Sequence, residues 1–78
     1  PPPPPRFVAP VIFLILPPNT NNGIVRIYNL NGALLLKQEL TQNQTRIDLE
    51  ALHLAPQTLL VEIEAAGKLY YKKVVVQN

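Results

Sequence analysis

The sequence predicts an all-β domain, a small antiparallel β-sandwich with hairpins. Three observations lead to this prediction. Residues 19–78 consist of short apolar runs separated by turn residues, no run has the pattern of a long amphipathic helix, and strands do not alternate with helices as in an α/β protein. A chain of 78 residues is one small domain at most, and it contains no cysteine. Its stability must therefore come from burial and strand pairing.

The composition excludes several functional classes. The absence of cysteine rules out a disulfide scaffold, a thiolate metal site and a cysteine nucleophile. The net charge is +2 and only 15% of the residues are charged, whereas a nucleic-acid partner requires a dense basic face. No cofactor is predicted, and no nucleic-acid partner.

The N-terminal part of the chain has a different character. Residues 1–10 form a proline-rich segment, and the run Pro1–Pro5 predicts extended polyproline II, because each ring fixes φ and removes a donor. A spacer or tail is favoured over a ligand of an SH3-type domain. Residues 11–78 are predicted to be a single β-sandwich domain, beginning with a buried strand over 11–16 that is too short to cross a bilayer as a helix.

The first hairpin is predicted from two apolar runs around a glycine turn. Ile24–Tyr28 and Ala33–Leu40 are its strands, joined by a type I turn with Gly32 in the left-handed position, where glycine is not strained. Both faces are apolar: one is assigned Val25, Ile27 and Leu35, the other Ile24, Tyr28, Leu34, Leu36 and Leu40. Either residues 11–16 cover the second face or a partner does, since a solvated face should be polar.

The second half predicts a short strand, a connection and another hairpin. Arg46–Leu49 is the strand, Glu50–Ala55 a turn or single helical turn ended by Pro56, and Thr58–Glu64 the first hairpin strand. Gly67 then predicts a second bulged hairpin leading into 69–76. In that register Glu64 faces Lys68, Ile63 faces Leu69 and Val61 faces Tyr71. A shift by one residue instead turns Tyr70, Val74 and Val76 inward, and this alternative stays open.

Candidate catalytic residues are few, and the pattern does not favour an enzyme. His53 with Asp48 or Glu50 resembles part of a triad, but a surface or capping histidine is the favoured interpretation. Glu62 and Glu64 share one solvated strand face and do not flank a cleft. Lys72 and Lys73 are neighbours on a strand, so they point to opposite faces and cannot form one phosphate-binding patch.

Five separated pieces carry a family resemblance over residues 23–78. They are Ile24–Gly32, Ile47–Leu52, Ala55-Pro56 leading into Leu60–Ile63, Gly67-Lys68, and Lys72–Val76. In this order and spacing the chain resembles the C-terminal sorting domain of type IX secretion (Por secretion) cargo proteins of Bacteroidota. The resemblance implies an immunoglobulin-like β-sandwich of about seven strands. The family's Gly and Tyr after the Pro-Ala segment are replaced here by Gln57, Thr58 and Leu59, and most of two family strands before Gly23 is missing.

The resemblance also implies a function. Such a domain is a sorting signal that directs an N-terminal cargo domain through the type IX outer-membrane translocon, and a sortase-like peptidase usually removes it at the surface. The route passes through the periplasm and ends at the cell surface or outside the cell. Lys72, Lys73, Val74, Val75 and Val76 are the predicted signal-bearing or partner-binding residues, and Gly32 and Gly67 are predicted to form the turns that hold them.

A second hypothesis comes from the doubly apolar first hairpin. It predicts a small structural, adhesive or self-associating β-module of an extracellular protein, for which a homodimer is a possible state. The two hypotheses differ in whether export of a cargo depends on this domain.

Overall fold

The computed structural model describes residues 11–76. The predicted proline-rich extended segment 1–10 and the last two residues of the predicted sandwich, 77–78, lie outside the described residues. Six strands and one short 3₁₀ helix follow one another: β1 (Val11–Ile15), β2 (Gly23–Asn29), β3 (Leu34–Leu40), β4 (Gln44–Asp48), the 3₁₀ helix (Leu49–Leu52), β5 (Gln57–Ala65) and β6 (Lys68–Val76). The predicted all-β fold class is confirmed.

The strands form two antiparallel sheets that pack as a sandwich. The larger sheet has the strand order β3-β2-β5-β6, and the smaller one consists of β1 and β4. Side chains of both sheets, with Leu16 after β1 and Leu49 of the 3₁₀ helix, form one apolar core: Leu14, Leu16, Val25, Ile27, Leu40, Ile47, Leu49, Leu59, Val61, Ala65 and Val76. No polar side chain of the described residues is buried in it. The core thus holds a wide sheet against a narrow one.

Strand β1 packs on the inner face of the larger sheet, beside β5 and β6. The expectation that residues 11–16 cover the second apolar face of the first hairpin is therefore wrong, because that face, with Ile24, Tyr28 and Leu34, is the outer one. Leu14 is buried and Ile12 half-buried against the core, whereas the alternate residues Phe13 and Ile15 are 60% and 68% exposed. This alternation is that of a strand with one buried face. The strand is therefore buried on one side only.

The loop after β1 is tied down by one asparagine. Asn43, which precedes β4, donates side-chain hydrogen bonds to the carbonyl oxygens of Leu16 at 3.2 Å, Pro17 at 3.0 Å and Thr20 at 2.9 Å. Its own carbonyl accepts a hydrogen bond from the Leu16 amide at 2.8 Å. These contacts join the chain leaving β1 to the chain entering β4. The sequence gives no sign of them, because the partners are backbone groups.

The first hairpin turns as predicted. Gly32 has a φ of 85°, and its amide donates to the Asn29 carbonyl at 3.0 Å. The Asn29 side-chain oxygen also accepts from the amides of Asn31 and Ala33, both at 2.9 Å. Asparagine at this position therefore fixes the turn through its own side chain.

The predicted faces of the returning strand are wrong beyond the turn. Tyr28 pairs with Leu34 but Ile27 pairs with Leu36, so Leu35 is an extra residue at a bulge. The bulge reverses the alternation, and Leu36 and Leu40 lie on the inner face with Val25 and Ile27, not on the outer face. The outer face of this hairpin keeps Ile24, Tyr28 and Leu34.

The connection between β4 and β5 is a capped 3₁₀ turn. The Asp48 side chain accepts a hydrogen bond from the Glu50 amide at 3.0 Å, and His53 ends the turn with a φ of 52°. The His53 amide donates to the Glu50 carbonyl at 2.9 Å. His53 is thus the C-cap, as the favoured interpretation has it. In residues 11–76 no helix is long and apolar enough to span a membrane.

Candidate protein-binding surface

The hairpin of β5 and β6 contains all the predicted signal residues, and its turn decides where they point. The turn has two residues, Ala66 and Gly67, with φ of 53° and 73°. Positive φ at both positions is the geometry of a type I′ turn, the turn that matches the twist of two antiparallel strands. The prediction of a bulged second hairpin is therefore wrong.

The register of this hairpin follows from its turn. Ala65 pairs with Lys68, Glu64 with Leu69 and Glu62 with Tyr71. The first of the two predicted registers, with Glu64 facing Lys68, is wrong, because it requires three residues in the loop and the structure has two. The alternative register, shifted by one residue, is the observed one. It buries Val76 and half-buries Val74, whereas Tyr70, on the same face, remains 41% exposed.

The five predicted signal residues are consequently divided between two faces. Val74 and Val76 face the core, and Lys72, opposite Val61, lies on the same side at the rim of a groove. Lys73 and Val75 lie on the outer face, where Val75 is 58% exposed. The set is therefore not one continuous patch: two valines pack within the sandwich, and the other three residues are accessible from two sides.

An ion-pair ladder crosses the outer face next to these residues. The Arg26 guanidinium contacts the Glu62 carboxylate at 2.9 Å and the Glu64 carboxylate at 3.3 Å, across the β2–β5 pairing. The hydrogen bond to Glu62 contributes most to raising the pKa of Arg26 above its usual value. Glu62 and Glu64, considered above as a carboxylate pair, are therefore engaged with one arginine.

Tyr71 extends this ladder to the edge of the sheet. It lies directly opposite Glu62 on β6. The Glu62 carboxylate, as a hydrogen-bond acceptor, favours the protonated phenol and raises the pKa of Tyr71 above its usual value, with desolvation as a smaller cause. The residues Lys37, Arg26, Glu62 and Tyr71 thus form one row across the four strands.

Apolar side chains flank the ladder on β6. Leu69 is 51% exposed, Tyr71 57% and Val75 58%, all on the outer face. Within residues 11–76, β6 pairs with β5 alone, so the backbone groups on its other side are free to pair with a strand from elsewhere. The first predicted register places Leu69 and Tyr71 on the inner face, opposite Ile63 and Val61, whereas the alternative register, which is the observed one, turns both outward.

In the part of the chain that the structure describes, the candidate catalytic residues are not arranged in a way that suits catalysis. Asp48 and His53 are the caps of the 3₁₀ turn, and Glu50 lies between them and bonds to both through its backbone. No three His, Asp or Glu side chains in residues 11–76 lie close enough to hold a metal ion. Fold and surface together define the class of protein: a small all-β sandwich module with an accessible edge strand.

Comparison with protein families assigns this module. The chain belongs to the family of secretion system C-terminal sorting domains, whose model matches residues 10–77. Searches of curated proteins and of solved structures find no match. The family match starts earlier than the resemblance over 23–78, so β1 also belongs to the family region.

Membership in the family gives the function in outline. The domain is a sorting signal for type IX secretion and part of a cargo protein, and it interacts with the type IX secretion machinery. The cargo is exported to the cell surface or secreted. This family is not an enzyme family.

Proposed function

We propose that the type IX translocon recognises the folded domain by binding the hairpin of β5 and β6, through the free edge of β6 and its outer face. Lys73 and Val75 provide side-chain contacts on that face, together with Leu69 and Tyr71, whereas Val74 and Val76 hold the strand in place from the core. Gly32 and Gly67 support the recognised strand indirectly by forming the two turns. Binding alone carries the signal, and the domain performs no chemical step.

One observation carries this proposal: the larger sheet has two edges, and they differ. The middle of β3 presents Lys37, Gln38 and Glu39, all exposed, and charges of both signs are a common protection against strand addition. The edge strand β6 also carries exposed lysines, Lys68, Lys72 and Lys73, but all of its charges have one sign and its outer face presents the exposed side chains of Leu69, Tyr71 and Val75. Edge-strand pairing supplies affinity through main-chain hydrogen bonds and specificity through alternate side chains. This second edge has both.

The later steps of the pathway are part of the same proposal. The cargo and its sorting domain cross the periplasm before the outer membrane, and a sortase-like peptidase then cuts the chain N-terminal to the sandwich at the cell surface. A chain without cysteine is insensitive to the oxidising environment of the periplasm. The domain N-terminal to this module is the cargo that remains at the surface or is released.

The test is export of a reporter fused upstream of residue 1, with two matched double variants. Tyr71→Thr with Val75→Thr changes the outer face of β6, and Lys37→Thr with Glu39→Thr changes the opposite edge. Threonine suits a strand, so both variants should retain the fold, which circular dichroism and thermal unfolding would check. We expect the β6 variant to leave the reporter in the periplasm and the β3 variant to be exported normally.

Two outcomes would contradict this assignment. Normal export of a folded β6 variant would show that its outer face is not read, and equal loss in both variants would show that the two edges are not distinguished. Deletion of residues 69–78 should also retain the reporter in the periplasm, but this change removes Val76 from the core as well. The point variants therefore decide the role of the surface.

Self-association is a second candidate function, favoured by the same exposed side chains. An outer face with Leu69, Tyr71 and Val75 could pair β6 with β6 of another copy and form a homodimer of the adhesive kind. Analytical ultracentrifugation across a concentration series, with the Tyr71→Thr and Val75→Thr variant as control, tests this. A dimer that the variant abolishes, combined with normal export of that variant, would support this function over recognition by the translocon.

A further inference from the structure

A groove lies between the two sheets, away from the outer face of β6. The smaller sheet has two strands and the larger has four, so at about 4.8 Å per strand the smaller sheet leaves part of the inner face uncovered. The uncovered part opens beside β1 as a cavity of about 420 Å³. Its lining residues come from β1, β5 and β6: Ile12, Phe13, Leu14, Ile15, Val61, Ile63, Lys72 and Val74.

One wall of this groove is an edge strand. Among the described residues β1 pairs only with β4, from Val11–Asp48 to Ile15–Gln44. The backbone groups on the groove side of β1 therefore have no partner strand in residues 11–76. A strand added there would lie about 4.8 Å from β1, over the apolar floor formed by β5 and β6. Strand addition would widen the smaller sheet and cover more of the inner face.

The lining has one charged residue. Lys72 extends over the inner side of β6, opposite Val61, and the other lining side chains are apolar. In the sequence its neighbour Lys73 points to the opposite face, so the two lysines serve different surfaces. An occupant that meets Lys72 with a carboxylate would gain charge complementarity in a partly apolar site, where a basic occupant would be repelled.

Neither residues 1–10 of this chain nor a second copy of the chain fits the groove well. Residues 1–10 contain Arg6 and no carboxylate, so their charge matches Lys72 in sign. A second copy pairing its β1 antiparallel to this β1 would carry its own four-stranded sheet to the same side, where the two large sheets would occupy the same space. The groove is therefore suited to a single strand.

We propose that the groove beside β1 binds one extended peptide strand of a protein of the secretion machinery, apolar at alternate positions and with one carboxylate placed against Lys72. This inference rests on the proposed function in that it uses the same partner system, but it concerns a second surface. The peptide pairs with the free edge of β1, buries alternate side chains on Val61, Ile63 and Val74, and places its acid at the Lys72 rim.

The experiment uses the 78-residue chain and synthetic peptides. The probes are acetylated heptapeptides with valine at alternate positions and one glutamate, scanned over the positions that share the valine face. NMR titration of ¹⁵N-labelled protein maps the contacts. We expect amide shifts in β1 and in the inner-face residues of β5 and β6. Affinity should fall about fivefold in Lys72→Gln, a typical contribution of an accessible ion pair, and stay unchanged in the control Lys73→Gln.

The controls make each outcome decisive. A peptide N-methylated along one edge cannot pair with β1 and should not bind, and a peptide with lysine in place of glutamate should bind Lys72→Glu better than the original chain. Absence of binding at millimolar peptide, equal binding of the N-methylated peptide, or shifts confined to the outer face would overturn the proposal. So would concentration-dependent shifts in β1 without peptide, which would identify a second copy as the occupant.

This test separates the groove from the export signal. Peptide binding is measured on the isolated chain and does not depend on secretion. If the peptides bind as described but the variants on the outer face of β6 export normally, the proposed recognition of β6 fails and the groove stands. If export depends on Tyr71 and Val75 but no peptide binds, only the groove fails.

Discussion

The two hairpins of the larger sheet begin alike and end differently. Each has a strand in the middle of the sheet, a glycine at positive φ in its turn, and a return strand at an edge. The return strand β3 exposes charges of both signs, Lys37 and Glu39, whereas β6 exposes only positive charges and, on its outer face, Leu69, Tyr71 and Val75. The central strands make the fold and the edges determine what can be added to it. The two edges therefore differ in the sign of their charges and in the apolar area of their outer faces.

The largest expected effect tests whether the two hairpins share one core. Ile27 on β2 and Leu59 on β5 are both 0% exposed. Ile27→Ala and Leu59→Ala should each lower the free energy of unfolding by about 2–5 kcal/mol, because each removes buried volume from the same cluster. Urea unfolding, followed by circular dichroism, should show a single transition in both variants.

Different unfolding behaviour of these two variants would contradict a core shared by both hairpins. Two unfolding transitions, or loss of structure in only one hairpin, would show that the hairpins fold separately. Because a domain of this size is marginally stable, Ile27→Val provides a milder change of about 0.5–1.5 kcal/mol that remains measurable.

The turns provide a medium-sized effect. Gly67→Ala and Gly32→Ala should each lower the free energy of unfolding by about 1–2 kcal/mol, because both glycines have positive φ, which strains a residue with a Cβ. Nothing lies within 4 Å of the added methyl group, so the backbone conformation is the only source of this loss. Ala66 also has positive φ, at 53°. Ala66→Asn should therefore stabilise the second hairpin by about 0.5–1 kcal/mol, because asparagine tolerates this conformation and suits a type I′ turn.

The control for the last variant lies in the first hairpin. Leu30 is an exposed turn residue that is not among the residues with positive φ, so Leu30→Asn should give no comparable gain. Thermal unfolding measures both. A gain in Leu30→Asn equal to that in Ala66→Asn would show that asparagine acts through something other than the backbone conformation.

The sequence predicted the strands and the positions of both glycine turns but not the type of the second turn, and the reasons for its errors are local. Ala65-Ala66-Gly67 fits a three-residue loop with a bulge as well as a two-residue turn, and only the geometry of the whole hairpin selects the second. The run Leu34-Leu35-Leu36 has no alternation of polarity, so the bulge at Leu35 leaves no mark in it. Short-range patterns thus define elements better than registers.

The candidate surface was predictable only in part. The sequence places Lys72 and Lys73 on opposite faces, and the structure has them so. The row from Arg26 through Glu62 to Tyr71 joins three strands that are far apart in the chain, and no spacing in the sequence brings these residues together. The contacts of Asn43 with backbone carbonyl groups are invisible for the same reason.

The smallest expected effect concerns the ionisation of Tyr71 on the edge strand β6. Its pKa is raised, chiefly because the Glu62 carboxylate favours the protonated phenol. A group whose pKa is higher in the folded state contributes stability that is present below the unfolded value of about 10 and is lost as the pH rises through the folded value. Absorbance at the phenolate wavelength should show that Tyr71 titrates above its ordinary value, and Glu62→Gln should lower that midpoint. The control is Glu39→Gln. Glu39 lies on β3, at the opposite edge of the sheet from Tyr71, so this substitution should leave the midpoint of Tyr71 unchanged. A shift of equal size in Glu39→Gln would mean that the general charge of the sheet, and not the row ending at β6, determines the ionisation of Tyr71.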